Sequence, residues 1–135
     1  MAMRPSKGGI RNEMREKAMR EEILAQLGAL CADAGVEQVA CKDASVGDYL
    51  AGKTDALAVA MQMMQAKALP ETMSRFLRDE TTRNANLAES ARLCSKDMMD
   101  PKGTMATMAR LREGAAAGYM AASRVVTEIR EMNKS

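Results

Sequence analysis

The amino-acid sequence predicts an all-α protein of four to five helices, forming a small helical bundle or a helical oligomer. The composition is the first indication, since 24 of the 135 residues are Ala and 14 are Met, both good helix formers. Apolar residues also recur at steps of three and four over long stretches, which is the period of an amphipathic helix. Leu, Ile, Val and Phe number only 20, but a net charge of +2 is too small to indicate a disordered chain.

A flexible basic arm is predicted for residues 1–11, followed by a single helical domain over 12–135. Pro5 and the pair Gly8-Gly9 disfavour regular structure in the arm. Asn12 is a candidate cap for a first helix at about 12–34. Gly35 suits the position just after a helix C-terminus. One apolar face runs along this helix through Ile23, Leu24, Leu27, Leu30 and Ala34.

The sequence pattern of residues 36–54 does not predict a single structure. Val36, Val39 and Cys41 alternate loosely, so a short strand remains open beside irregular structure. The segment from Ser45 to Asp48 has the form of a capping box for a short turn. Thr54 is a candidate cap for a second helix at about 54–69.

A third helix is predicted at about 70–98, with Pro70 in its first turn. Its apolar stripe is interrupted by Glu80 and Asn84, inside the polar stretch 79–86. Two interpretations remain open. Either the middle of the helix is exposed, which we favour, or its polar residues fix the register with a partner helix.

The clearest pattern is a long C-terminal amphipathic helix, rich in Ala and Met, at about 104–132. Gly114, Gly118 and Ala122 stand four residues apart, a row of small residues that lets two helix backbones approach closely. We therefore predict that this stripe is an interface with a second copy or with a helical partner. The predicted interface residues are Met108, Leu111, Gly114, Ala115, Gly118, Ala122, Val125 and Ile129.

Several classes of function are disfavoured by residues that the sequence lacks. Without histidine there is no imidazole base and no histidine ligand for a metal. Cys31, Cys41 and Cys94 form no CxxC pair, so neither a zinc site nor a disulfide framework is expected. We therefore expect that the protein is not an enzyme, and that it has no catalytic residue, metal, cofactor or small-molecule substrate.

The expected location is intracellular, either cytoplasmic or within an assembled particle. No apolar run reaches the ~18 residues that a membrane span requires. The N-terminus lacks the hydrophobic region of a secretory signal. We therefore expect a soluble protein without a membrane partner.

One segment resembles a known family. Residues 20–43, REEILAQLGALCADAGVEQVACKD, resemble the first helix and following turn of TetR-type regulators, and Tyr49, Lys53 and Leu57 are similar to the end of that module. The resemblance covers about 40 residues. The stretch between Asp43 and Tyr49 is too short for a recognition helix, so no function is carried over.

The leading functional hypothesis is a non-enzymatic assembly or adaptor protein that acts through helix–helix contacts. Small structural and inhibitor proteins of phages or mobile elements have this character. The alternative is a small DNA-associated packaging or regulatory protein with a helical oligomerisation region. In that case basic residues near the N-terminus would contact phosphates. The candidate contacts are Arg4, Lys7, Arg11 and Arg15.

Overall fold

A computed structural model describes residues 7–97, 100 and 102–134, and within them the fold is an all-helical bundle, as predicted. This described part of the chain contains four α-helices and no strand. The helices are α1 (Lys7–Ala40), α2 (Ala44–Gln65), α3 (Pro70–Asp97) and α4 (Thr104–Met132).

The first helix is longer at both ends than the sequence predicts. It spans 34 residues, about 51 Å at 1.5 Å per residue, and Asn12 lies inside it instead of capping it. Residues 7–11 are helical, while residues 1–6 of the predicted arm lie outside the described residues. Gly35 does not end the helix. A glycine inside a helix costs only about 1 kcal/mol relative to Ala, and its buried neighbour Ala34 favours continuation.

The second helix starts ten residues before its predicted cap, and the open strand interpretation of 36–54 is wrong. Asp43 is the N-cap, and its carboxylate accepts hydrogen bonds from the backbone nitrogens of Ser45 and Val46 at 2.8 and 3.4 Å. Thr54 lies inside α2, where its hydroxyl donates to the carbonyl of Leu50 at 2.8 Å. An Asp side chain satisfies the first free amides of a helix as well as Thr does.

A left-handed residue occurs in each of the two remaining connections. α2 ends at Gln65, and Lys67 adopts a left-handed backbone conformation with φ of 60° before Pro70 opens α3. Before α4, Gly103 takes φ of 65°, a conformation that glycine adopts without steric cost. The carboxylate of Asp100 accepts hydrogen bonds from the first-turn amides of α4.

Helix α4 is the common partner of the other three helices. Both α2 and α3 pack extensively along α4, whereas α2 and α3 scarcely touch each other. α1 lies mainly against α2 and makes a smaller contact with α4. The arrangement therefore leaves a groove between α2 and α3, and α4 forms its floor.

All four helices contribute to one hydrophobic core. Its large members are Ile23, Leu27, Leu57, Met64, Met73, Leu77, Tyr119, Val126 and Ile129. They come from the middle of α1, the C-terminal part of α2, the N-terminal part of α3 and the C-terminal part of α4. The groove lies beside this core and shares Ala56 and Tyr119 with it.

The two polar positions that interrupt the apolar stripe of α3, Glu80 and Asn84, are not exposed, contrary to the favoured interpretation. Asn84 is 2% exposed, and Glu80 is half-buried. The Asn84 amide donates to the carbonyl oxygen of Glu80 at 2.8 Å and to the Glu80 carboxylate at 3.3 Å. Asn84 in turn accepts a hydrogen bond from Arg112 of α4 at 3.1 Å. The polar interruption of the stripe is therefore a contact between α3 and α4.

Candidate interaction surfaces

The row of small residues on α4 does bring two helix backbones together, but both helices belong to the same chain. A Cβ atom at Gly114 would overlap the carbonyl oxygen of Tyr49 in α2. A Cβ atom at Gly118 would lie 2.6 Å from the carbonyl oxygen of Lys53 and 2.8 Å from the Cβ of Ala56. A second copy cannot reach these glycines while α2 is in place. The interface predicted at this row is therefore the internal contact between α2 and α4.

The other predicted interface residues divide into a buried set and a surface set. Ala122, Val125 and Ile129 belong to the core of the chain. Met108 is 42% exposed, and Leu111 and Ala115 are half-buried. Only these last three are placed where another molecule could contact them.

Met108, Leu111 and Ala115 line the groove between α2 and α3, which has a volume of about 320 Å³. α2 contributes one wall, with Gly52, Asp55, Ala56 and Val59, and α3 contributes Glu80 and Asn84 to the other. Arg112 and Tyr119 complete the lining from α4. The groove combines an apolar floor with a few polar groups, as ligand-binding clefts commonly do.

The polar groups of this groove hold one another in position. Arg112 donates to Asn84, while the two carboxylate oxygens of Glu80 accept from Asn84 and Arg83, both at 3.3 Å. The Tyr119 ring meets Phe76 edge-on, with ring centroids 6.2 Å apart. Burial raises the pKa of the Tyr119 phenol, and the negative charge of Glu80 raises that pKa further. The phenol therefore stays protonated at neutral pH and serves as a hydrogen-bonding group.

A second surface lies on the outward side of α1 and was not predicted from the sequence. We call Ala25, Ala29, Ala32, Val36 and Val39 the α1 outer face. All five residues are exposed, with Val36 at 69% and Val39 at 89%. They lie on the opposite side of the helix from the buried Leu27 and Ala34. Their alternating steps of four and three are a detectable signal, which the core-facing stripe on the opposite side of the helix obscured.

The surroundings of the α1 outer face carry few charges. Between residues 23 and 41 the only ionisable groups besides the two cysteines are Asp33 and Glu37. Residues 11–22, in contrast, contain four basic and four acidic side chains. The face also borders Gly35, where an added Cβ atom would meet nothing within 4 Å. The C-terminal half of α1 therefore presents an apolar strip to solvent.

The predicted nucleic-acid contacts do not form one cluster. Arg4 lies outside the described residues, the backbone of Lys7 begins α1, and Arg11 is exposed on α1. Arg15 lines a groove of about 350 Å³ together with Arg130 of α4 and Lys134, which follows the end of that helix. Those two residues also line an adjacent groove of about 410 Å³ with Arg75 and Arg78 of α3. Acidic residues stand among these basic ones, namely Glu16, Glu71, Asp79 and Glu131.

Neither a metal centre nor a membrane span is found among residues 7–97, 100 and 102–134. No three side chains of Cys, Asp or Glu are grouped there in a way that could hold a metal ion. In the same residues, every helix is too short or too polar to cross a bilayer. Comparisons with protein-family models, with curated proteins and with solved structures find no match to this chain.

Proposed function

We propose that the protein is a non-enzymatic assembly protein in which the α1 outer face packs against α1 of a second copy. The observation that carries this proposal is the exposure of Val36 and Val39 on a strip without charges. Isolated exposed valines are ordinary, but a row of exposed apolar residues over four turns of a helix is typical of an interaction site. A partner helix of another protein is the adaptor version of the same function.

A second copy suits this face because the face does not repel itself. In a two-fold contact the same patch occurs on both subunits, so like charges within it would oppose pairing. None of the five residues is charged. Complete burial of a valine stabilises by about 1.5–3 kcal/mol, and the two valines of each copy supply most of the driving force.

The contact is short, so weak association is expected. From Ala25 to Val39 the helix rises about 21 Å, and a single pair of helices of that length buries less than the ~800 Å² per partner of a standard interface. The useful concentrations therefore extend from about 10 µM to about 1 mM, where free energies of about −7 to −4 kcal/mol are detected.

Sedimentation equilibrium over this range tests the proposal. The mass of the unchanged protein should rise with concentration, and the double variant Val36→Glu, Val39→Glu should remain monomeric. Met14→Glu is the matched control, because Met14 lies on the same helix with a similar exposed fraction of 67%. The control should associate like the unchanged protein. A monomeric mass for the unchanged protein at 1 mM, or equal association of the double variant, would contradict self-assembly through α1.

The DNA-associated alternative is favoured by one observation, the adjacent grooves that share Arg130 and Lys134. They extend the basic surface from Arg15 across α4 to α3. If duplex DNA binds there, each lost phosphate contact should flatten the log–log salt dependence by roughly 0.9. The double variant Arg15→Ala, Arg130→Ala should then flatten it by roughly 1.8.

Arg124→Ala is the control for the nucleic-acid test, because Arg124 is an exposed arginine on α4 outside both grooves. Binding of a labelled duplex would be measured at two salt concentrations for all three proteins. Equal salt dependence of the double variant and the control would exclude these grooves as a phosphate-binding surface.

A further inference from the structure

We infer that the two α1 helices pair antiparallel, in a register that sets Val39 against Ala29 and Val36 against Ala32 of the other copy. This inference rests on the self-association proposed above and specifies its geometry. The α1 outer face is small toward its N-terminal end, with three alanines, and larger toward its C-terminal end, with two valines. The direction of pairing therefore decides whether each valine faces a valine or an alanine of the other copy.

Parallel pairing would place valine on valine and alanine on alanine. The distance between packed helix axes varies from about 8 to 10 Å with the side chains at the contact. Parallel helices would therefore either diverge toward the valine end or lose contact at the alanine end. Antiparallel pairing in this register sets a valine against an alanine at each of the four levels where the helices face each other, while Ala25 falls beyond the end of the partner's α1. The axes then remain at one distance over these four levels.

The charge of Glu22 favours the same direction. Glu22 occupies the position three residues before Ala25, which continues the outer face by one step. In a parallel pair the two Glu22 side chains would face each other, and such like-charge contacts oppose association. In the antiparallel register Glu22 falls beyond the end of the partner's α1, which stops at Ala40.

Two residues beside the face lie close to the midpoint of the antiparallel pair. Gly35 of each copy approaches Gly35 of the other, and the absence of a side chain lets the backbones come close. Asp33 approaches its own counterpart on the opposite edge, where water and salt screen the repulsion. The Asp33 pair opposes association in this arrangement, whereas parallel helices would set Asp33 near Gly28.

Disulfide trapping tests the direction. In a protein with Cys31, Cys41 and Cys94 changed to Ala, Val39→Cys and Ala29→Cys would be made as two separate single-cysteine variants. Circular dichroism and sedimentation would first verify folding and association. In the antiparallel register the thiol at position 39 of one copy meets the thiol at position 29 of the other, whereas two thiols at position 39 are separated by about 15 Å along the axis. A disulfide requires Cα atoms within about 7 Å.

The mixture of the two variants should form a mixed disulfide, and neither variant alone should cross-link efficiently. Rapid cross-linking of Val39→Cys with itself would overturn the antiparallel direction but leave self-association intact. A monomeric mass together with no cross-link in any sample would overturn the proposed function as well.

A second test measures the dissociation constant of the dimer and needs no cross-linking. Asp33→Asn should tighten the association several-fold at low salt, because it removes one pair of facing charges. An unchanged or weaker association would contradict the antiparallel register, since only this register brings the two Asp33 side chains together.

Discussion

Three glycines, Gly52, Gly114 and Gly118, bring the backbones of α2 and α4 into direct contact. A Cβ atom at Gly52 would overlap the carbonyl oxygen of Leu111, whereas a Cβ atom at Gly47 of the same helix would meet nothing within 4 Å. Gly52→Ala should therefore lower the free energy of unfolding by about 2–3 kcal/mol, because backbone atoms must move. Gly47→Ala should raise it by up to ~1 kcal/mol through helix propensity. Urea unfolding of both variants checks the contrast, and similar effects of the two changes would contradict the close contact.

The buried amide of Asn84 is the second feature with a consequence at the residue scale. Asn84→Ala removes the acceptor of Arg112 and the donor to Glu80 in a nearly closed environment. We expect a loss of about 1–3 kcal/mol of stability, the usual cost of leaving partly buried polar groups without partners. Asn86→Ala, on the exposed side of the same helix, should stay within ~0.5 kcal/mol of the unchanged protein. Equal effects in thermal unfolding would place Asn84 at the surface.

At the scale of the element, the start of α4 depends on the carboxylate of Asp100. Partial burial disfavours its charge, but hydrogen bonds from the amides of Ala106, Met105 and Thr104 and from the Ser95 hydroxyl outweigh this effect and lower the pKa below its ordinary value. Because the pKa is lower in the folded chain, the ionised group stabilises the fold above the unfolded value. That stabilisation disappears as the pH falls through the folded pKa.

The stability of Asp100→Asn should therefore be lower than that of the unchanged protein at pH 7. The difference should shrink below about pH 4, the ordinary range of an Asp pKa. Melting temperatures of both proteins between about pH 7 and about pH 2.5 measure this difference directly. Other carboxylates titrate in both proteins, so their effects cancel in the comparison. A difference that does not change with pH would exclude a charge effect at the helix start.

The helices of this chain were easier to predict than their ends and their partners. Proline is tolerated in a helix only in the first turn, and α3 begins at Pro70. Gly35 did not mark the end of α1, because the free-energy cost of a glycine inside a helix is too small to end it. The spacing of Gly114 and Gly118 predicted a close helix contact, but spacing contains no information on which helix supplies the other backbone. The burial of Asn84 likewise depends on Arg112, which is 28 residues away in sequence.

At the scale of the whole molecule, local stability should follow the central position of α4. The middle of α4 is enclosed by α2 and α3, whereas residues 36–40 of α1 are exposed on all sides of the helix. Hydrogen exchange at low protein concentration should therefore be slowest at residues 114–129 and fast at 36–40. At high concentration the exchange of residues 25–39 should slow as α1 pairs. Mass spectrometry of peptic fragments resolves both segments, and fast exchange in α4 would contradict its central place.

α4 is synthesised after α1, α2 and α3, although all three of these helices pack against it. At about 5–20 residues per second, the ribosome needs roughly 1.5–6 s to make the 29 residues of α4. Until α4 is complete, the faces of α2 and α3 that it covers lack their partner. A chain that stops at residue 103 should accordingly bind a hydrophobic dye and be digested rapidly, and a protease-resistant product would show that α1–α3 fold without α4. The nascent protein is thus most vulnerable just before α4 is complete.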